Sequence, residues 1–119
     1  MHKLVQIIRF ESARRLTKVP KEHPCSNLYG LAFKLEIHIQ GVMDRESGFV
    51  LDFNEIEKRF SSIYKQIDHS YLNDIEGLEN PTSEILIEWI WNNLKPKLEH
   101  LTKLVLWENE VSKVEFSGN

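Results

Sequence analysis

Two periods of apolar residues divide this chain. Leu31, Phe33, Leu35, Ile37 and Ile39 alternate with Lys34, Glu36, His38 and Gln40, which is a half-buried strand with one wet face. Leu4 to Glu11 is rich in β-branched residues and about strand length. Between these two strands, residues 12–30 read as loop, punctuated by Pro20, Pro24 and Gly30. After Gly41 the "DRESG" segment is a turn, and "FVLDF" either continues the sheet or leads into a helix.

The period then changes to that of a helix. Phe53, Ile56, Phe60, Ile63, Tyr64 and Ile67 recur at helical spacing, with Asp52 as N-cap and Glu55 at capping-box distance. A polar loop, "DHSYLNDIEGLEN", separates this helix from a second. Thr82 is the expected cap of that second helix, with Glu84 in its first turn. Ile85, Leu86, Trp89, Ile90 and Leu94 form its apolar side, and Pro96 ends or kinks it. "TKLVLWENE" and "SKVEFSG" close the chain as a strand pair. The order ββααββ predicts an α+β fold, an antiparallel sheet with two helices on one face.

Composition narrows the functional classes. A chain of 119 residues is expected to form one domain, 1–119. A net charge of −3 gives no basic footprint for nucleic acid. No apolar run is long enough to span a membrane, and "MHKLVQIIRF" lacks the pattern of a signal peptide. The single cysteine, Cys25, excludes an internal disulfide framework and a Cys-rich zinc module. The expected setting is the cytoplasm, with a reduced thiol.

Three places could carry chemistry. Asp68 and His69 could act as a carboxylate–imidazole pair, although adjacent side chains ordinarily diverge and a solvated loop pair is the plainer reading. Cys25 needs a base or cation beside it to become a useful thiolate, and His23, Arg14 and Arg15 are nearby in sequence; an inert small hydrophobe is the alternative. Glu108, in "LWENE", either lies on the wet face of an edge strand or accepts hydrogen bonds from the N–H groups of a ligand.

Phe10 to Ala13 (F-x-x-A), Cys25, "LYGLAF", "GFVLDF", "IDHSYLND", "LENPTSE" and Trp107-Glu108 together resemble the 6-pyruvoyl-tetrahydropterin synthase family, nearest the bacterial 6-carboxytetrahydropterin synthases of the queuosine pathway. The resemblance runs from about Phe10 to Gly118. It implies the tunnelling fold (T-fold), a ββααββ unit, and a homo-oligomer: a trimer or a dimer of trimers. It implies that Cys25, Asp68 and His69 move protons. It also implies that Glu108 anchors a pterin ring, with Thr82 and Ser83 lining the same pocket. In the family pattern three histidines bind one zinc ion, and their positions here are Arg14, Tyr29 and Leu31. Arginine stays protonated and leucine has no donor atom, so no zinc cofactor is expected.

The resemblance thus implies a pterin or related small-molecule ligand and a lost electrophile. Three readings follow. One is a zinc-less paralogue that binds a pterin-like ring, with absent or altered lyase activity. Another is an active synthase with a dispensable metal site or one rebuilt from His23, Cys25 and His69. The last is a non-catalytic oligomer partner. Arg14 is expected to fill the former metal space, where its guanidinium could also hold an anionic ligand group.

Overall fold

The computed structural model describes residues 1–119. Two long strands dominate it, β1 (His2–Arg14) and β2 (Tyr29–Gly41). Helix α1 (Phe53–Ile67), a two-residue strand β3 (Ser70–Tyr71) and helix α2 (Ser83–Leu94) follow. Strands β4 (Leu101–Trp107) and β5 (Lys113–Phe116) complete one five-stranded sheet of order β3-β1-β2-β4-β5. All neighbours are antiparallel except β3, which runs parallel to β1 at Ser12–Ala13. The predicted order ββααββ is present, with β3 as an addition too short to show in the sequence pattern.

Both first strands are longer than their apolar pattern. The β1–β2 ladder is continuous from His2–Gly41 to Arg14–Tyr29, so the expected loop begins after Arg14 and ends before Tyr29. "FVLDF" does not continue the sheet: the chain turns on an Asp44–Phe49 backbone hydrogen bond and enters α1. Gly41 permits that return, since a Cβ there would lie 2.8 Å from Val50.

The alternation of β2 buries Phe33, Leu35, Ile37 and Ile39 against the helices. Ile56, Phe60, Ile63 and Ile67 of α1 and Leu86, Ile87, Ile90 and Leu94 of α2 meet them. Each such side chain removed from water contributes about 1.5–3 kcal/mol. Leu101 and Leu104 both face this core although three residues apart. A register shift opposite His38–Ile39 absorbs the extra residue, as a β-bulge does. Phe53, expected on the apolar side of α1, is instead 47% exposed, because it sits at the first turn before the helix reaches the sheet.

The caps are partly as read. The Asp52 carboxylate accepts the Asn54 N–H at 2.9 Å. Glu55 does not complete a capping box. Its carboxylate pairs with Arg59 one turn on, at 3.1 Å. The Thr82 hydroxyl accepts the Ile85 N–H at 3.1 Å and starts α2. Pro96 stops it: α2 ends at Leu94 and a single tight turn, Lys95–Lys97, follows.

Candidate functional site

The ladder fixes the centre of the site. Arg14 ends β1 directly opposite Tyr29, the first residue of β2, and Ser12 faces Leu31 one pair further in. Side chains at alternate positions share a face, so Arg14, Tyr29 and Leu31 converge at one end of the sheet. Arg14 is 3% exposed there, and four donors of its guanidinium are engaged. Nε–H donates to the Tyr29 hydroxyl at 2.8 Å, Nη1 to the Pro81 carbonyl at 3.1 Å and the Ser83 hydroxyl at 3.3 Å, and Nη2 to Glu108 Oε1 at 2.7 Å. The cation also lies 5.6 Å from the centre of the Phe33 ring. One side chain thus joins β1, β2, the entry to α2 and the turn after β4.

Arg14 is therefore turned inward and enclosed rather than swung out to solvent, and it is not a free cation for an anionic ligand group. Its charge is spent on Glu108. Nor do the three side chains fit a metal ion. A guanidinium occupies the centre, Leu31 offers no donor, and Tyr29 accepts from Arg14. No group of three or more His, Cys, Asp and Glu side chains is gathered at metal-holding geometry. His23, Cys25 and His69 accordingly make no second ligand set within one chain.

Glu108 follows the last residue of β4, which is an inner strand, so it does not lie on an edge strand. Burial alone would raise its pKa. Hydrogen bonds from Arg14 and Ser83 outweigh burial and hold the carboxyl below its ordinary value. Both bonds fall on Oε1. Oε2 makes none, and Glu108 opens with Tyr29, Trp107, Arg9 and Lys34 onto a cleft of about 750 Å³. Ser83 touches the carboxylate; Thr82, expected beside it, uses its hydroxyl for the helix cap.

Cys25 lies in a short turn, Pro24–Ser26, just before Tyr29 at the start of β2. His23 does not activate it. The His23 ring accepts the Cys25 backbone N–H at 3.0 Å and so caps the turn. Burial, and secondarily Cys25, keep the Tyr29 phenol above its usual pKa against the opposing pull of Arg14, so it stays protonated at neutral pH.

Asp68 and His69 do meet. His69 Nδ1 lies 2.9 Å from Asp68 Oδ2, against the expectation that neighbouring side chains diverge. The reason is local backbone. Asp68 caps the C-terminus of α1, and His69 follows in the left-handed region at φ 52°, which turns the ring back over the carboxylate. The Glu11 N–H donates to Asp68 at 3.0 Å, and the His69 N–H donates to the Glu11 carbonyl at 2.6 Å. The bond from the Glu11 N–H, then His69, lowers the Asp68 pKa, and Asp68 raises that of His69. His69 is 75% exposed and opens onto a second cleft of about 540 Å³. Ser70, on the same cleft, has a buried hydroxyl without a partner.

The expected site residues thus form two groups within one chain. Glu108, Ser83, Arg14 and Tyr29 make one; Asp68 and His69 make the other. The two clefts share the wall 30–32, and Cys25 lines neither. Sequence reading missed Tyr29 as a partner of Arg14, and also the cleft cations Arg9 and Lys34. The signal for all three is the β1–β2 register, which pairs Arg14 with Tyr29 and Arg9 with Lys34. The 14-residue connection hides that register, because no short turn fixes it.

An antiparallel sheet backed by two helices, with a polar centre at the end of its first strand pair, defines a tunnelling-fold protein. Residues 3–119 match the family model described as 6-pyruvoyl tetrahydropterin synthase, and the chain belongs to that family. It is 34% identical over 91 residues to the 6-carboxy-5,6,7,8-tetrahydropterin synthase of Synechocystis sp., covering 72% of this chain and 69% of that protein. It is also 34% identical over 91 residues to the dihydroneopterin monophosphate aldolase of Pyrococcus furiosus, covering 74% and 76%. The structure of Caenorhabditis elegans 6-pyruvoyl tetrahydropterin synthase superposes with a TM-score of 0.91 over 99% of this chain and 96% of that one. At 22% identity this is a likeness of fold.

Proposed function

We propose that this protein binds a reduced pterin or a related amino-pyrimidinone ring in the cleft that ends at Glu108, and does so without the three-histidine zinc centre of its family. The observation that carries this reading is the state of Glu108. It is an ionised carboxylate, fixed through one oxygen and open through the other, at the end of a cleft walled by Tyr29 and Trp107. A carboxylate so placed accepts N–H donors. The names of the relatives from Synechocystis and Pyrococcus furiosus, a synthase and an aldolase of pterins, support the same ligand class.

The chemistry that remains is proton transfer by Cys25 and the Asp68–His69 pair. A metal polarises ligand oxygens by several kcal/mol in a transition state, and Arg14, committed to four partners, does not replace that. The lyase reaction of the zinc enzymes is therefore absent or slow here. A metal-independent step, such as retro-aldol cleavage of the side chain, fits the groups present. The separation of His69 from Glu108 into two clefts, and the lack of a ladder partner for most of the outer edge of β1, where Val5 and Ile7 are 42% and 45% exposed, support a homo-oligomer in which copies complete the site between them.

The test is equilibrium binding of 7,8-dihydroneopterin, followed by tryptophan fluorescence, to wild type and Glu108→Gln, with folding checked by melting. We expect saturable binding that weakens at least tenfold in the variant. Absence of binding at millimolar ligand, or equal binding by both proteins, sinks the reading. Incubating the protein with the triphosphate ester of the same pterin, with and without a chelator, then reports whether any turnover depends on metal.

A further inference from the structure

Tyr29 stands where a metal-binding histidine is implied by the family pattern, and its hydroxyl has a definite hydrogen-bond state in the structure. A guanidinium donates and never accepts, so in the 2.8 Å bond from Arg14 Nε the Tyr29 oxygen is the acceptor. Its own proton is left for another partner. Glu108 is in the complementary state. Nη2 of the same guanidinium and the Ser83 hydroxyl both donate to Oε1, which fills that oxygen and leaves Oε2 as a bare acceptor. Nε–H and Nη2–H form one edge of the planar fork and point in parallel. That edge therefore holds the Tyr29 hydroxyl and the Glu108 carboxylate side by side, and both line the same cleft. Arg14, at 3% exposure and tied to Pro81 and Ser83 through Nη1, cannot swing away without breaking the arrangement.

We propose that Tyr29 and Glu108, set side by side on one edge of the Arg14 guanidinium, form a donor–acceptor pair that grips the lactam edge of the bound ring. The ring N–H donates to Glu108 Oε2, and the adjacent ring carbonyl accepts the Tyr29 proton. Tyr29 is then a specificity-determining residue. It makes the site select a carbonyl next to the donor, where Glu108 alone selects only donors. Arg14 is the positioning residue for both, a role that needs a fork and that lysine, a point charge, does not fill. This inference rests on the binding of an amino-pyrimidinone ring proposed above.

The experiment compares two ligands on two proteins. One ligand is pterin; the other is its 4-thioxo analogue, which keeps the ring N–H but presents sulfur, a poor acceptor. Affinities are measured by fluorescence for wild type and Tyr29→Phe. Wild type is expected to favour the carbonyl ring by about tenfold, equivalent to about 1.4 kcal/mol. Tyr29→Phe should lose the preference and bind the two rings alike. Arg14→Lys should lose it as well and weaken both ligands, since the carboxylate is no longer held. A preference that persists in Tyr29→Phe overturns the proposal. So does a wild type that binds both rings equally, a result that needs no variant to fold and leaves the cleft reading standing. A wild type that binds neither ring removes the cleft reading and this inference with it.

Discussion

Replacing Arg14 by methionine, which has similar length and no charge, is the most informative perturbation of this fold. Four hydrogen bonds disappear, one of them to an ionised carboxylate. Removing one partner of a fully buried ion pair costs about 3–5 kcal/mol. Here the Glu108 side chain keeps 30% exposure, and water can resolvate it in part. Against this, a methionine no longer has to lose the hydration of a guanidinium. We therefore expect a destabilisation of about 2–4 kcal/mol, in the range set by the loss of several bonds of about 1 kcal/mol each. For a chain of this size that is a fall in Tm of about 10 °C. Urea unfolding followed by tryptophan fluorescence, at fixed protein concentration, gives the free energy directly. The cycle with Glu108→Gln isolates the pair, and the two changes should be non-additive by at least about 1 kcal/mol. A loss below about 0.5 kcal/mol in Arg14→Met, or strict additivity with Glu108→Gln, refutes the view of Arg14 as the cross-link of this centre.

Other consequences are smaller or simpler to read. His69 should titrate above the ordinary histidine value by NMR, and Asp68→Asn should bring it down; unchanged titration in that variant contradicts the pair. The sign for stability follows: the His69 contribution is complete below its unfolded pKa and fades as pH rises through the raised folded value, whereas the Asp68 contribution fades only on acidification through its depressed value. The contribution of this pair should thus be greatest between the unfolded pKa values of Asp68 and His69 and decline as the pH leaves that window on either side, and a denaturant midpoint that does not fall on the alkaline side speaks against the assignment. Thr82→Ala should cost about 1 kcal/mol by urea titration, with Thr82→Ser close to neutral, because only the cap hydroxyl is at stake. Prolonged dialysis against a chelator should leave Tm unchanged; a drop of several degrees would mean that a metal supports the fold after all.

Periodicity alone determined most of the fold. The alternation of β2, the helical stripes of α1 and α2, and the stops at Asp52, Thr82 and Pro96 are local signals, set by the side-chain period and by the few residues that can cap or break an element. The identity of the residues at 14, 29 and 31 was equally legible, since arginine and leucine cannot ligate a metal in any fold. What the tertiary structure decided is how those residues are used. The meeting of Arg14 with Tyr29 depends on the register of two strands joined through a long connection, and its meeting with Glu108 joins positions at opposite ends of the chain. The contact of Asp68 with His69 depends on one left-handed backbone angle, which few non-glycine residues adopt. Hydrogen bonds of this kind are chosen by which elements pack together, and packing is a property of the whole chain that no local pattern encodes.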